Sequence, residues 1–151
     1  MAERFPEQPV LAVNGMERAV PPLGPATTLA EAAVLFGDAA VDLLPVMEGE
    51  RLVGALSLRD LAMGCCGSGV EPTTTTVGTV MDVEPLRLSA QTGAAEALDT
   101  MHARGAAAAL IVRGRDELAG VVSIHGLHRL LRSPPEGPTP EYVRRVRGEQ
   151  P

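Results

Sequence analysis

The same residue pattern occurs twice in this sequence, and this internal repeat constrains the fold more than any other feature. The stretch GALSLRDL, residues 54–61, returns as GVVSIHGL at residues 120–127. Upstream, Ala30-Glu31-Ala32 aligns with Ala95-Glu96-Ala97 at an offset of 65 residues, and one inserted residue raises the offset to 66 further along. A repeat that spans so many residues indicates two copies of one structural unit in tandem.

Each copy has the same predicted elements, which are a strand, a helix, two strands and a second helix. In the first copy, Thr28 and Glu31 form a capping box at the start of an apolar helix. A hairpin turns at Glu48-Gly49-Glu50, and the second helix follows Ser57. The second copy repeats these elements, with helices near residues 94–103 and 124–131 and a hairpin turn near residues 113–116. The fold class is therefore α/β, in the broad sense that includes α+β.

Changes in composition divide the chain into two units, a linker and two tails. The linker is rich in glycine and threonine, and the C-terminal tail is rich in proline and charge, which predicts disorder there. The predicted segments are an N-terminal tail (residues 1–12), a first unit (13–64), the linker (65–76), a second unit (77–132) and a C-terminal tail (133–151).

Composition excludes several classes of partner. Hydrophobic residues make up 45% of the chain and aromatic residues only 2%, so the core must be aliphatic. The net charge of −6 argues against nucleic acid, because phosphate binding requires a basic face. No apolar run is long enough to cross a membrane, and the N-terminus lacks a secretion-signal pattern. We therefore expect a cytoplasmic protein.

The residues needed for common catalytic and metal sites are missing or wrongly spaced. All 13 basic residues are arginine, which excludes a P-loop lysine and Schiff-base chemistry. Neither Ser57 nor Ser123 lies in a G-x-S-x-G elbow, and the adjacent Cys65-Cys66 pair is expected to remain as free thiols. His125 and His128 are three residues apart, with no carboxylate at helical spacing to complete a metal site. We expect neither an enzyme nor a metal centre.

The ordered set of elements resembles the CBS domain, and two in tandem resemble a Bateman module. The resemblance rests on the repeated unit, on the LLPV strand at residues 43–46 and on the glycine-apolar-apolar-Ser-x-x-Asp pattern of residues 54–60, and it covers residues 13–131. It implies two pseudo-symmetric units packed through their sheets. It also implies clefts for adenosine-containing ligands such as AMP, ADP, ATP or S-adenosylmethionine, homodimerisation, and regulation of a further protein, without a required cofactor.

The best candidate for a ligand site is the start of the helix after Ser57. The first N–H groups of a helix have no partner within the helix, and together with the helix dipole they attract an anion such as phosphate. The Ser57 hydroxyl adds a hydrogen bond, and Arg59 supplies a positive charge. Asp60 accepts hydrogen bonds only, which suits the two hydroxyls of a ribose.

The resemblance also implies an apolar slot for the adenine ring, built from strand residues. By position in the sequence, these residues are Val20, Val41, Leu44 and Pro45.

The second copy lacks the residue that would hold the ribose. Gly126 replaces Asp60, and His125 stands where the first copy has Arg59. Ser123 and His125 therefore form at most a weak second site, and we expect one principal ligand site per chain.

A ligand-free function remains open from the sequence. A serine followed three residues later by an aspartate also caps helices in proteins that bind nothing there. Under that alternative, the chain is a dimerisation or scaffolding module, and Ser57 and Asp60 have only a structural role.

Overall fold

Two β-hairpins, each flanked by two helices, form the computed structural model, which describes residues 10–17, 20–39, 41–115 and 117–133. The first half contains α1 (Leu29–Asp38), β1 (Leu43–Glu48), β2 (Arg51–Ser57) and α2 (Leu58–Cys65). The second half contains β3 (Arg87–Ser89), α3 (Ala94–Arg104), β4 (Ala108–Arg113), β5 (Glu117–Ser123) and α4 (Ile124–Arg132). The predicted helices, hairpins and mixed fold class are confirmed.

The two sheets differ in strand number. In the second half, β3 pairs in parallel with β4, which pairs antiparallel with β5. In the first half, β1 and β2 form an antiparallel pair, and the predicted initial strand is reduced to a single parallel bridge between Leu23 and Val46. Pro21, Pro22 and Pro25 flank Leu23, and proline has no N–H to continue a ladder. The two sheets contact each other through β1 with β4 and β2 with β5, as the predicted packing requires.

Local sequence signals set where the helices begin and end. The Thr28 hydroxyl accepts the Glu31 N–H at 3.1 Å and donates to the Glu31 carboxylate at 3.0 Å, which fixes the start of α1. Gly105 ends α3 in the left-handed conformation, with φ of 63°. The alanine run after Gly105 therefore leads into β4, although alanine by itself favours helices. None of the helices in the described part of the chain has the length and apolar character needed to cross a membrane.

The segment that precedes each half pairs with the other half. Ahead of the first half, Glu17 exchanges two backbone hydrogen bonds with Val121 of β5, at 2.7 and 3.0 Å. Ahead of the second half, Asp82 exchanges two with Ala55 of β2, at 2.9 and 3.0 Å. We call 10–17 and 77–82 the crossing segments. They align in the sequence repeat, so the exchange follows the same pseudo-symmetry as the two halves.

The exchange mixes the two hydrophobic cores. The core of the first half includes Val77, from the crossing segment that precedes the second half. The core of the second half includes side chains from the start of the chain. Leu11 and Ala12 are fully buried there, although the sequence predicted a tail up to residue 12. They are buried because a 3-10 turn at Ala12–Gly15 packs against α3, α4 and β5. Residues 1–9 and 134–151, which cover the rest of both predicted tails, lie outside the described residues.

The exchange explains the glycine that opens the repeated motif. A Cβ atom on Gly54 would lie 2.7 Å from the backbone oxygen of Asp82, a distance that carbon and oxygen do not tolerate. A Cβ atom on Gly120 would collide in the same way with the backbone oxygen of Glu17. Glycine is required at both positions because each crossing segment lies directly against the strand.

Replacing either glycine by alanine should therefore destabilise the fold. For Gly54→Ala and Gly120→Ala we expect the free energy of unfolding to fall by about 1–3 kcal/mol, the usual cost of overpacking. Gly37→Ala is the matched control, because a Cβ atom there meets nothing within 4 Å. In helix α1 that change should stabilise by roughly 0.5–1 kcal/mol. Urea denaturation measures the free energy of unfolding of the three variants and the parent. Equal values for all four proteins would contradict the role of the crossing segments.

Candidate functional site

Ser57 lies at the junction where β2 passes directly into α2. Its backbone is extended, and its hydroxyl oxygen accepts the Asp60 N–H at 3.0 Å, so Ser57 is the N-cap of α2. The Leu58 N–H donates to the backbone oxygen of Asp42 at 2.8 Å. Of the first three N–H groups of this helix, only that of Arg59 has no acceptor in the described part of the chain. The helix start is therefore less open to an anion than the sequence predicted.

A cavity of about 260 Å³ opens beside this helix start. Both halves line it, the first through the side chains of β1, β2 and α2, and the second through its crossing segment and the chain before β4. The lining residues are Asp42, Leu43, Ala55, Ser57, Arg59, Asp60, Asp82, Pro85, Gly105, Ala106, Ala107 and Ala108. Three of the predicted site residues, Ser57, Arg59 and Asp60, thus lie together in one cavity.

The composition of this cavity suits a small ligand with hydroxyl groups and a flat apolar part. Asp42, Asp60 and Asp82 present carboxylates, which accept hydrogen bonds from hydroxyls. Leu43 and Pro85 supply apolar surface, and the glycine and alanines before β4 have side chains too small to fill the space. Ligand sites of this kind combine apolar walls with a few polar groups.

The four predicted adenine-slot residues do not line this cavity. Leu44 is fully buried in the first core, and Pro45 is buried beside it on β1. Val20 and Val41 line a different cavity, of about 280 Å³, together with Glu17. The placement of Val20 follows from the exchange, since Glu17 just before it pairs with the second half.

Sequence reasoning therefore missed part of the cavity wall. Leu43 lines the cavity at the start of β1, whereas the next three residues of the strand are buried. The sequence of β1 has no alternating pattern that indicates which of these side chains faces the cavity. Asp82 and Pro85 reach the site only through the crossing segment, and no local pattern indicates that exchange.

The corresponding helix start in the second half has different surroundings. Ser123 caps α4 by accepting the Gly126 N–H at 3.0 Å, as Ser57 does in α2. However, a Cβ atom on Gly126 would lie 3.2 Å from the backbone oxygen of Gly15 in the N-terminal 3-10 turn. His125 is exposed on the first turn of α4. The 3-10 turn thus packs closely against the residue that aligns with Asp60, and a cavity of about 360 Å³ opens beside Gly15, Gly126 and Arg129.

The other candidate sites have less suitable chemistry. A larger cavity, of about 760 Å³, lies by the hairpin turn at Gly49, but its charged lining residues are Glu50 and Glu117, with no hydroxyl side chain. His102 and His128 stack edge to face, with ring centres 6.2 Å apart. Within the described ranges, no three histidine, cysteine or acidic residues cluster as metal ligands. The Cys65-Cys66 thiols are free.

Introducing the missing carboxylate should not create a second site. Gly126→Asp places a side chain against the Gly15 carbonyl, so we expect the free energy of unfolding to fall by about 1–3 kcal/mol. Titration calorimetry with adenosine ligands should still count one site per chain. A variant as stable as the parent that binds two ligands per chain would contradict this account of the second half.

Comparison with known proteins identifies a matching family and solved structures with a similar fold. The sequence model of the CBS domain matches residues 10–64 and 77–133, which is most of the chain. No curated protein sequence matches.

Among solved structures, an uncharacterised conserved protein from Pyrococcus horikoshii is similar with a TM-score of 0.76 at 19% identity, over 87% of this chain and 98% of that one. The CBS domains of a transcriptional regulator from Streptococcus pneumoniae are similar with a TM-score of 0.67 at 20% identity, over 80% and 98%. The CBS-domain pair of protein MJ0100, in complex with 5'-methylthioadenosine and S-adenosyl-L-methionine, is similar with a TM-score of 0.70 at 17% identity, over 82% and 97%. At these low sequence identities, the similarity shows a shared fold and nothing further.

Proposed function

Because the chain belongs to the CBS-domain family and consists of two such domains in tandem, we propose that it is a non-enzymatic regulatory module that binds an adenosine-containing ligand in the Ser57 cavity. The observation that carries this proposal is the lining of that cavity, which joins Ser57 and Asp60 of the first domain to residues of the second. The CBS-domain pair of MJ0100, in complex with two adenosine compounds, supports the ligand class.

In this proposal, Asp60 accepts hydrogen bonds from the ribose hydroxyls, and the adenine ring lies against Leu43 and Pro85. The cavity wall belongs to both domains, so a bound ligand contacts both. A ligand stabilises the arrangement that it binds best, and it shifts the population toward that arrangement. The relative position of the two domains is then the signal that a regulated protein detects.

A ligand-free dimerisation or scaffolding module is the second candidate. The Ser57 hydroxyl already accepts the Asp60 N–H, so the serine has a structural role without any ligand. Under this alternative, no adenosine compound changes the melting temperature, and replacing Asp60 affects only stability.

Replacing Asp60 separates the two candidates. A carboxylate that accepts ribose hydroxyls contributes about 1.5–3 kcal/mol per bond. For Asp60→Ala we therefore expect adenosine-ligand affinity to fall roughly ten- to a hundredfold. Titration calorimetry measures this affinity and should give one site per chain. Asp99→Ala, on the exposed side of α3, is the control and should bind like the parent.

The fold should survive the change at Asp60, because the backbone N–H that Ser57 accepts is unaltered. An affinity that is the same in Asp60→Ala and in the parent would contradict a ribose-binding role. Two equal sites per chain in the parent would contradict the asymmetry between the domains.

We further propose that the module forms a homodimer through helical faces. Val34 on α1 is 64% exposed and Met63 on α2 is 68% exposed, and the two helices contact each other. Leu131 on α4 is also exposed. Apolar side chains of this size on neighbouring helices favour burial against a second copy.

Charge introduced on that face should separate the dimer. For Met63→Asp we expect light scattering to change from a dimer mass to a monomer mass at micromolar concentration. The monomer should remain folded because Met63 is exposed. Val83→Asp is the control, since Val83 is 62% exposed but lies outside the helices. A parent protein that is monomeric at this concentration would contradict the proposed dimer.

A further inference from the structure

Most of the charged side chains that line the Ser57 cavity are acidic, and we propose that the cavity selects an adenosine ligand that carries positive charge over one that carries several phosphates. This inference rests on the proposed function of the same cavity and narrows its ligand class. It follows from the charges on the cavity wall, from the hydrogen bonds at the start of α2 and from the size of the space.

Three carboxylates and one guanidinium line the cavity. Asp42 precedes β1, Asp60 lies in the first turn of α2, and Asp82 comes from the crossing segment of the second domain. Arg59 is the single basic residue among the lining residues; Arg59, Asp42 and Asp82 are exposed to solvent, and Asp60 is half-buried. Charges that line one cleft act together on a ligand inside it, and at low ionic strength they are little screened. The wall therefore repels a polyphosphate and attracts a cation.

The position of Asp82 is held by the protein. Its carboxylate accepts the Glu84 N–H at 2.9 Å, and its backbone pairs with Ala55 in the exchange between domains. The backbone pairing and this hydrogen bond together keep Asp82 at the cavity wall.

The start of α2 offers little to a phosphate. A phosphate group has three strong acceptor oxygens, and sites that bind it usually present several free N–H groups. Here the Leu58 N–H is bonded to Asp42 and the Asp60 N–H to Ser57, which leaves the Arg59 N–H among the first three. The same hydrogen bonds that begin the helix thus reduce its capacity to hold an anion.

The volume agrees with a compact ligand. At about 260 Å³ the cavity lies just below the range of roughly 300–1,000 Å³ that is usual for small-molecule sites. A triphosphate is therefore large for this space, whereas the two ligands of the matched pair below differ by only one methyl group.

A matched pair of ligands tests the charge directly. S-adenosylmethionine carries a sulfonium and has a net charge of about +1, whereas S-adenosylhomocysteine lacks the sulfonium methyl group and is neutral overall. In magnesium-free buffer of low ionic strength, we expect calorimetry to show roughly tenfold tighter binding of the sulfonium compound, with ATP the weakest of the three. Raising the salt concentration should reduce the difference between the matched pair, because salt screens the attraction.

Charge-neutral variants show whether the carboxylates cause the preference. Combining Asp42→Asn with Asp82→Asn keeps the shape of both side chains and the oxygen that accepts the Glu84 N–H. We expect this double variant to bind the two matched ligands about equally and to bind ATP more tightly than the parent does. Combining Glu96→Gln with Asp99→Asn removes the same charge from the exposed side of α3, and it should keep the parent's preference.

The outcomes separate this inference from the proposed function. Tightest binding of ATP in the parent, or a preference unchanged in the Asp42/Asp82 double variant, would overturn the charge selection while leaving an adenosine site. No binding of any of the three ligands would overturn the proposed function itself.

Discussion

The exchange of the crossing segments is the constraint on which the rest of this structure depends. Two short antiparallel bridges, Glu17 with Val121 and Asp82 with Ala55, tie each domain to the segment that precedes the other. The backbones approach so closely that only glycine fits at residues 54 and 120. Each core then buries side chains from both halves of the sequence. A CBS domain of this chain is therefore not an independent folding unit, because part of its core belongs to its neighbour's sequence.

The same exchange gives the starts of α2 and α4 different surroundings. At the first domain, the crossing segment brings Asp82 and Pro85 to the cavity beside Ser57. At the second domain, the N-terminal 3-10 turn lies against α4 and reaches Gly126. The glycine at residue 126 suits the close approach of this turn, because a Cβ atom there would lie 3.2 Å from the Gly15 backbone oxygen. The asymmetry between the two domains thus has a packing basis as well as a chemical one.

Charge and hydrogen bonding at the first site favour the same class of ligand. A helix start attracts anions when its N–H groups are free, but two of the first three in α2 already have acceptors within the protein. The carboxylates of Asp42, Asp60 and Asp82 add negative charge from both domains. These charges and hydrogen bonds suit the hydroxyl-binding role proposed for Asp60 better than a phosphate at Ser57.

The sequence by itself determined the repeat, the helices, the hairpins and the family. These features depend on signals between near neighbours, such as the Thr28 cap and the turn at Gly49, or on the repeated pattern, and both are visible without the fold. It also placed Ser57, Arg59 and Asp60 in one site, because a helix start holds them together. Only the tertiary structure decided that Leu43, Asp82 and Pro85 line the cavity, that Val20 and Leu44 do not, and that Leu11 is core. Those outcomes depend on which segment lies against which strand, and that choice is made by backbone pairing and close packing between residues far apart in the chain.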